Sequence, residues 1–141
     1  MTVRAFVAIA TVAISTASCS LYDGEDDPDP DVTVVQGIEL APPDMRRANG
    51  PVARYLADSE VLVFASDPLY SGSCPPTAEA EEGEEGTLKL TIDDALDDSC
   101  TADANRYTFL VQGFSDTPSR LVVEGEGAAD IEIDLNRASL D

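Results

Sequence analysis

The sequence predicts an all-β fold, a small antiparallel sandwich of immunoglobulin-like size with about seven strands. Three observations carry that expectation. Apolar residues recur with a period of two in several short runs, the spacing of strands that bury one face. Gly, Pro, Asn and Asp punctuate the chain between those runs. Of the 141 residues 43% are hydrophobic, enough to fill the core of one ordinary domain.

Residues 32–40 are rich in β-branched side chains and end at Ala41-Pro42-Pro43-Asp44. Residues 43–48 are the best helical candidate, a turn or two long, and Asn49-Gly50-Pro51 closes them. Residues 52–57 and 60–66 flank Asp58-Ser59 as a hairpin. Residues 87–93 alternate, with Leu88, Leu90 and Ile92 on one side and Thr87, Lys89 and Thr91 on the other. Residues 106–112 put Tyr107, Phe109 and Val111 on one face. Residues 121–124 and 130–135 complete the set, with Ile131, Ile133 and Leu135 in register. Tyr55, Phe64, Tyr107 and Phe109 are expected in the core, and Tyr70, beside Ser71-Gly72, at the surface. The chain has no Trp, so the immunoglobulin superfamily itself is not assigned, and a mixed α+β fold is the alternative. Residues 75–86 carry five Glu and no base, which predicts a solvated loop; a docking strip for a basic partner is the alternative.

Ahead of this domain, residues 1–18 read as a signal peptide. Arg4 supplies a basic start, residues 5–14 are apolar except for Thr11, and Ser15, Thr16, Ala17 and Ser18 are small. The apolar run falls short of the roughly 20 residues a membrane-spanning helix needs. Residues 19–31 are expected to be an extended tether, because their acids repel one another and Pro28 and Pro30 stiffen the path. The alternating acids from Asp23 do not make a calcium-binding EF-hand loop, whose sixth and twelfth positions are Gly and Glu; here they are Pro28 and Val34. Residues 32–141 form the β-sandwich domain.

Thr16-Ala17-Ser18-Cys19 resembles the lipobox of bacterial lipoproteins. Ala17 and Ser18 fit that pattern; Thr16 stands where the family usually has Leu. The resemblance implies that the Cys19 thiol receives a diacylglyceryl group and becomes the N-terminus, holding the protein on the extracytoplasmic face of the cell membrane. Two or more acyl chains, such as palmitate, anchor stably because each buried CH₂ contributes about 0.8 kcal/mol. Lipidation also accounts for an odd cysteine count, leaving Cys74 and Cys100 as a natural disulfide pair in an oxidising compartment. Two free thiols or a metal pair are the alternatives, the latter disfavoured by the absence of His.

A second resemblance surrounds that pair. Residues 60–66, then Ser71-Gly72-Ser73-Cys74-Pro75-Pro76, Cys100-Thr101-Ala102-Asp103 and Tyr107-Thr108-Phe109-Leu110-Val111 are similar to a group of small actinobacterial lipoproteins of unknown function. It covers residues 52–125 and departs by the acidic insertion after Pro76. It implies a disulfide-closed β domain in the cell envelope and carries no catalytic residues.

Charge and composition narrow the chemistry. There are 28 Asp and Glu against 8 Lys and Arg, a net charge of −20. Such a polyanion repels phosphates, which argues against nucleic acid as a partner and against charge-driven binding to anionic lipid. Cations and basic protein patches are compatible with it. The absence of His removes Ser-His and Cys-His nucleophilic pairs and the commonest general base. Lys89, the only Lys, falls on the solvent side of its strand, where a catalytic amine would lack desolvation. Composition leaves open a small carboxylate-based hydrolase. Asp93, Asp94, Asp97 and Asp98, with Asp103 nearby, are candidate ligands for a hard cation such as Ca²⁺, or simply an exposed acidic turn. The expected function is a membrane-anchored lipoprotein acting as a non-enzymatic interaction or envelope module. It needs no cofactor, and its protein partner is not specified by the sequence. Calcium binding and carboxylate hydrolysis are the alternatives.

Overall fold

The computed structural model describes residues 29–94, 97–125 and 130–136, so the leader and Cys19 lie outside the described residues. Eight strands follow one another: β1 (Asp31–Gln36), β2 (Val52–Leu56), β3 (Val61–Ala65), β4 (Thr77–Glu82), β5 (Thr87–Asp93), β6 (Tyr107–Gln112), β7 (Arg120–Glu124) and β8 (Ile131–Asp134). They form two four-stranded sheets, β1-β6-β3-β2 and β4-β5-β7-β8. The all-β expectation holds.

The alternation read in the sequence is the packing of the sandwich. Leu88, Leu90 and Ile92 of β5 are buried, and across from them lie Phe64 of β3 and Phe109 and Val111 of β6, each 0% exposed. Burying each such side chain contributes about 1.5–3 kcal/mol. Lys89 stays on the outer face and pairs with Glu124 at 3.0 Å. Glu124 hydrogen-bonds that ammonium and attracts its charge, which raises its pKa above the usual lysine value.

Four expectations are corrected. Residues 75–86 are not a loop: Thr77–Glu82 is a further strand, β4, antiparallel to β5 and followed by a 3₁₀-type turn at Glu84–Gly86. Without β4, the backbone groups along that edge of β5 would lack ladder partners. Ala78 and Ala80 turn toward the core, whereas Glu79 and Glu81 remain exposed. The second sheet is mixed rather than antiparallel, since β5 and β7 run parallel. Between them the chain crosses to the other sheet as β6 and returns, so β7 enters from the end at which β5 began. The first strand stops at Gln36, because Gly37 adopts a φ of +92°, a left-handed conformation that favours glycine. Tyr70 is buried at 2% exposure, carried inward by an antiparallel bridge to Asn105 and packed edge-on against Tyr107 at 5.9 Å.

Residues 37–51 return across the outer face of the first sheet. Their 3₁₀ turn, Met45–Arg47, lies within the window expected to be helical. Met45 and Ala41 cover Val63 and Ala65 there, a second small core outside the sandwich. The registers fix the ends of the molecule. The β2–β3 and β4–β5 turns and the β6–β7 loop share one end, whereas the connections 66–76 and 94–106 share the other. Among the described residues no helix is long and apolar enough to cross a membrane.

Candidate functional site

Three places concentrate polar chemistry. The first is the end where the chain crosses between sheets. Cys74 and Cys100 are joined there as a disulfide, with their Cα atoms 5.6 Å apart. Around the bridge three hydroxyls form a triangle: Ser71 to Ser73 at 3.2 Å, Ser71 to Thr101 at 3.1 Å and Thr101 to Ser73 at 3.1 Å. The Thr101 amide donates to Ser73 Oγ at 2.8 Å. Asp103 accepts from the Thr101 hydroxyl, from Asn105 Nδ2 at 2.5 Å and from the Gly72 amide at 3.3 Å. These bonds, led by those from Thr101 and Asn105, hold its carboxyl below the usual carboxylate range. A Cβ on Gly72 would come within 3 Å of the side-chain ends of Asp103, Asn105 and Gln36, which would have to shift to admit it. Tyr107 donates its hydroxyl to the Ser71 carbonyl at 2.9 Å; burial, and secondarily the charge of Asp103, raise its pKa.

The donors and acceptors of this end largely satisfy one another. Ser71 is buried, and its hydroxyl neighbours are other hydroxyls, not a base that could activate it. The arrangement fastens two connections together, and the sequence disclosed only the two cysteines.

The second place is the candidate cation turn. Asp93, Asp94, Asp97 and Asp98 are all exposed. Asp97 accepts from the Ser99 hydroxyl at 2.5 Å and the Ser99 amide at 2.7 Å, which together lower its pKa. Among the described residues, the one group of three potential metal-ligand side chains within 4.8 Å is Cys74, Asp97 and Cys100. Its two sulfurs are bonded to each other and are not thiolate ligands. The four aspartates do not converge.

The third place runs along the seam between the sheets, where β1 and β4 form facing edges. A cleft of about 510 Å³ lies there, lined by Asp29, Asp31 and Val32 on one wall and Ala78, Glu79 and Glu81 on the other. Sequence reasoning missed it because it read β4 as a loop. At one end of the seam the Glu82 carboxylate captures the β6–β7 loop. It accepts from the Ser115 hydroxyl at 2.6 Å and amide at 2.8 Å, and from the Asp116 amide at 3.4 Å. Burial alone would raise its pKa, but these bonds outweigh burial and lower it.

The sign of that shift fixes an expected pH dependence. A carboxylate with a depressed folded pKa stabilises the native state above its unfolded value of about 4.3 and ceases to as pH falls through the folded pKa. Glu82→Gln imitates the protonated form. Urea melts are expected to show the native protein more stable than the variant at pH 7, with the gap closing toward pH 3. A gap independent of pH would show that the charge on Glu82 does not hold the loop.

No protein-family model matches the chain, and no curated protein or solved structure matches it either.

Proposed function

We propose that this chain is an extracytoplasmic lipoprotein, anchored to the cell membrane through lipid on Cys19, whose β-sandwich is a non-enzymatic interaction module. One observation carries the reading: Cys74 and Cys100 are bonded to each other, which leaves Cys19 as the odd thiol. Cys19 follows an apolar run and the small residues Ala17 and Ser18, and the first strand begins at Asp31, twelve residues later. The resemblance of residues 52–125 to small envelope lipoproteins points the same way.

The non-enzymatic part rests on the direction of the displaced acidities. A carboxylate hydrolase uses one acid with a raised pKa as its proton donor. Glu82, Asp97 and Asp103 are all displaced downward. The buried hydroxyl of Ser71 is engaged within its own network. What remains is a rigid, disulfide-closed surface of strongly negative charge, suited to recognition.

Mass spectrometry of the native protein tests the anchor. A mature chain beginning at Cys19 and carrying acyl mass is expected, and Cys19→Ala is expected to move the protein from the membrane to the soluble fraction. A native chain without acyl mass, or one starting elsewhere, would overturn the reading.

A further inference from the structure

We propose that Asn49 is a self-modification site, converting to isoaspartate by reaction with its own backbone and water, and that the conversion releases an Arg106 clamp on the outer face of the first sheet. The inference goes beyond the interaction-module reading and is independent of the anchor.

The chemistry starts from Asn49-Gly50-Pro51, at the end of the segment that covers that face. The Gly50 main-chain nitrogen reaches the Asn49 side-chain amide by closing a five-membered ring. In that step it gives up its proton and bonds to Asn49 Cγ, and the side-chain nitrogen leaves as ammonia. Water then opens the succinimide. Attack at Cγ yields Asp; attack at the former main-chain carbonyl yields isoaspartate, with the chain rerouted through Cβ and Cγ. The sum is one water taken up and one ammonia lost, with no oxidant and no cofactor.

The structure leaves this step open at Asn49. Glycine puts no Cβ beside the attacking nitrogen. Asn49 is exposed, and among the described residues neither its side chain nor the Gly50 amide is held by a hydrogen bond within the protein. A Cβ built on Gly50 would meet only Asp67 Oδ1, at 3.8 Å, so the ring has room and water has access. The other two asparagines provide an internal comparison. Asn105 and Asn136 each precede an Arg, whose side chain crowds the nitrogen, and Asn105 Nδ2 is tied to Asp103 at 2.5 Å.

The consequence follows from what flanks Asn49. Arg106 donates from Nη1 to the Ala48 carbonyl at 3.2 Å and from Nη2 to the Gly50 carbonyl at 2.9 Å. A planar guanidinium holds those two donors at a fixed spacing, so both bonds need the ordinary separation of the two carbonyls. Isoaspartate inserts an additional carbon into the chain between them. The segment then loses a fastening that keeps Met45 and Ala41 over Val63 and Ala65.

The test ages the purified protein in mildly alkaline buffer, which favours the deprotonated nitrogen, and maps its peptides by mass spectrometry with electron-transfer fragmentation. A gain of one mass unit is expected at Asn49, accumulating roughly tenfold or more faster than at Asn105 and Asn136, with isoaspartate in the product. Asn49→Ser is expected to show none. The aged form, separated by its additional negative charge, is expected to exchange the amides of residues 45–48 faster and to unfold at lower urea. Asn49→Asp carries the same charge without the inserted carbon and is expected to melt as the native protein does. Conversion no faster at Asn49 than at the other two asparagines would overturn the proposal. So would an aged form with native exchange and native urea midpoint. An Asn49→Asp variant as unstable as the aged form would also overturn it, by making charge rather than carbonyl spacing the cause.

Discussion

Replacing Cys74 and Cys100 together by Ala is expected to cost roughly 3–4 kcal/mol of folding stability, the chain-entropy value for a crosslink whose ends are 26 residues apart. At roughly 4–8 °C per kcal/mol for a domain of this size, the melting temperature should fall by about 12–32 °C. The position of the bridge explains why little else would compensate. It joins the β3–β4 connection to the β5–β6 connection, the two places where the chain passes from one sheet to the other at that end. The bonds from Thr101 to Ser73 tie the same connections, but they are exposed and each is worth only about 1 kcal/mol. Thermal melts with and without a thiol reductant check the assignment. The native protein should shift on reduction, whereas the double variant, already low, should not. A drop under about 5 °C in the variant would mean that the sandwich holds its crossovers without covalent help.

The contrast between β5 and β4 shows what kind of information the sequence held. In β5, Leu88, Leu90 and Ile92 are large and alternate with polar residues, so one face announces itself as core. In β4 the inward residues are Ala78 and Ala80, too small to mark a core, and their neighbours are glutamates, which strands usually avoid. Their period of two was present but weak, and β4 exists because β5 beside it supplies a ladder. Tyr70 failed for a related reason. Ser71 and Gly72 signalled a turn, and the turn exists, but the bridge to Asn105 is a contact across 35 residues that no local pattern encodes. The parallel pairing of β5 with β7 is equally non-local. Of the candidate sites, the cysteine pair was legible because counting thiols needs no geometry. The Ser71, Thr101 and Asp103 network could be seen only as two short motifs, and the seam was invisible as long as its strand was read as a loop.

Arg106→Ala is expected to destabilise the protein by roughly 2–4 kcal/mol, although Arg106 makes no ion pair among the described residues. Its guanidinium serves three carbonyls at once: Nε to Ser66 at 2.7 Å, Nη1 to Ala48 at 3.2 Å and Nη2 to Gly50 at 2.9 Å. One of these lies just past the end of β3, and the other two lie in the segment that covers the outer face of the first sheet. Arg106 thus pins that cover, and with it Met45 and Ala41 over Val63 and Ala65. The Arg54–Asp44 ion pair, 2.6 Å long but substantially open to solvent, contributes at most about 1 kcal/mol to the same task. Arg106→Lys separates charge from geometry. An ammonium keeps the charge but is a compact donor without the planar fork that spans three acceptors. It is therefore expected to recover less than half of the loss in urea melts, and to leave the amides of residues 45–48 exchanging faster than in the native protein. Full recovery by Lys would show that a positive charge in this acidic chain is what the position requires. Failure to recover would show that the cation is kept there for its donors, so that a fold carrying a net charge of −20 is fastened at this face by hydrogen bonding rather than by charge neutralisation.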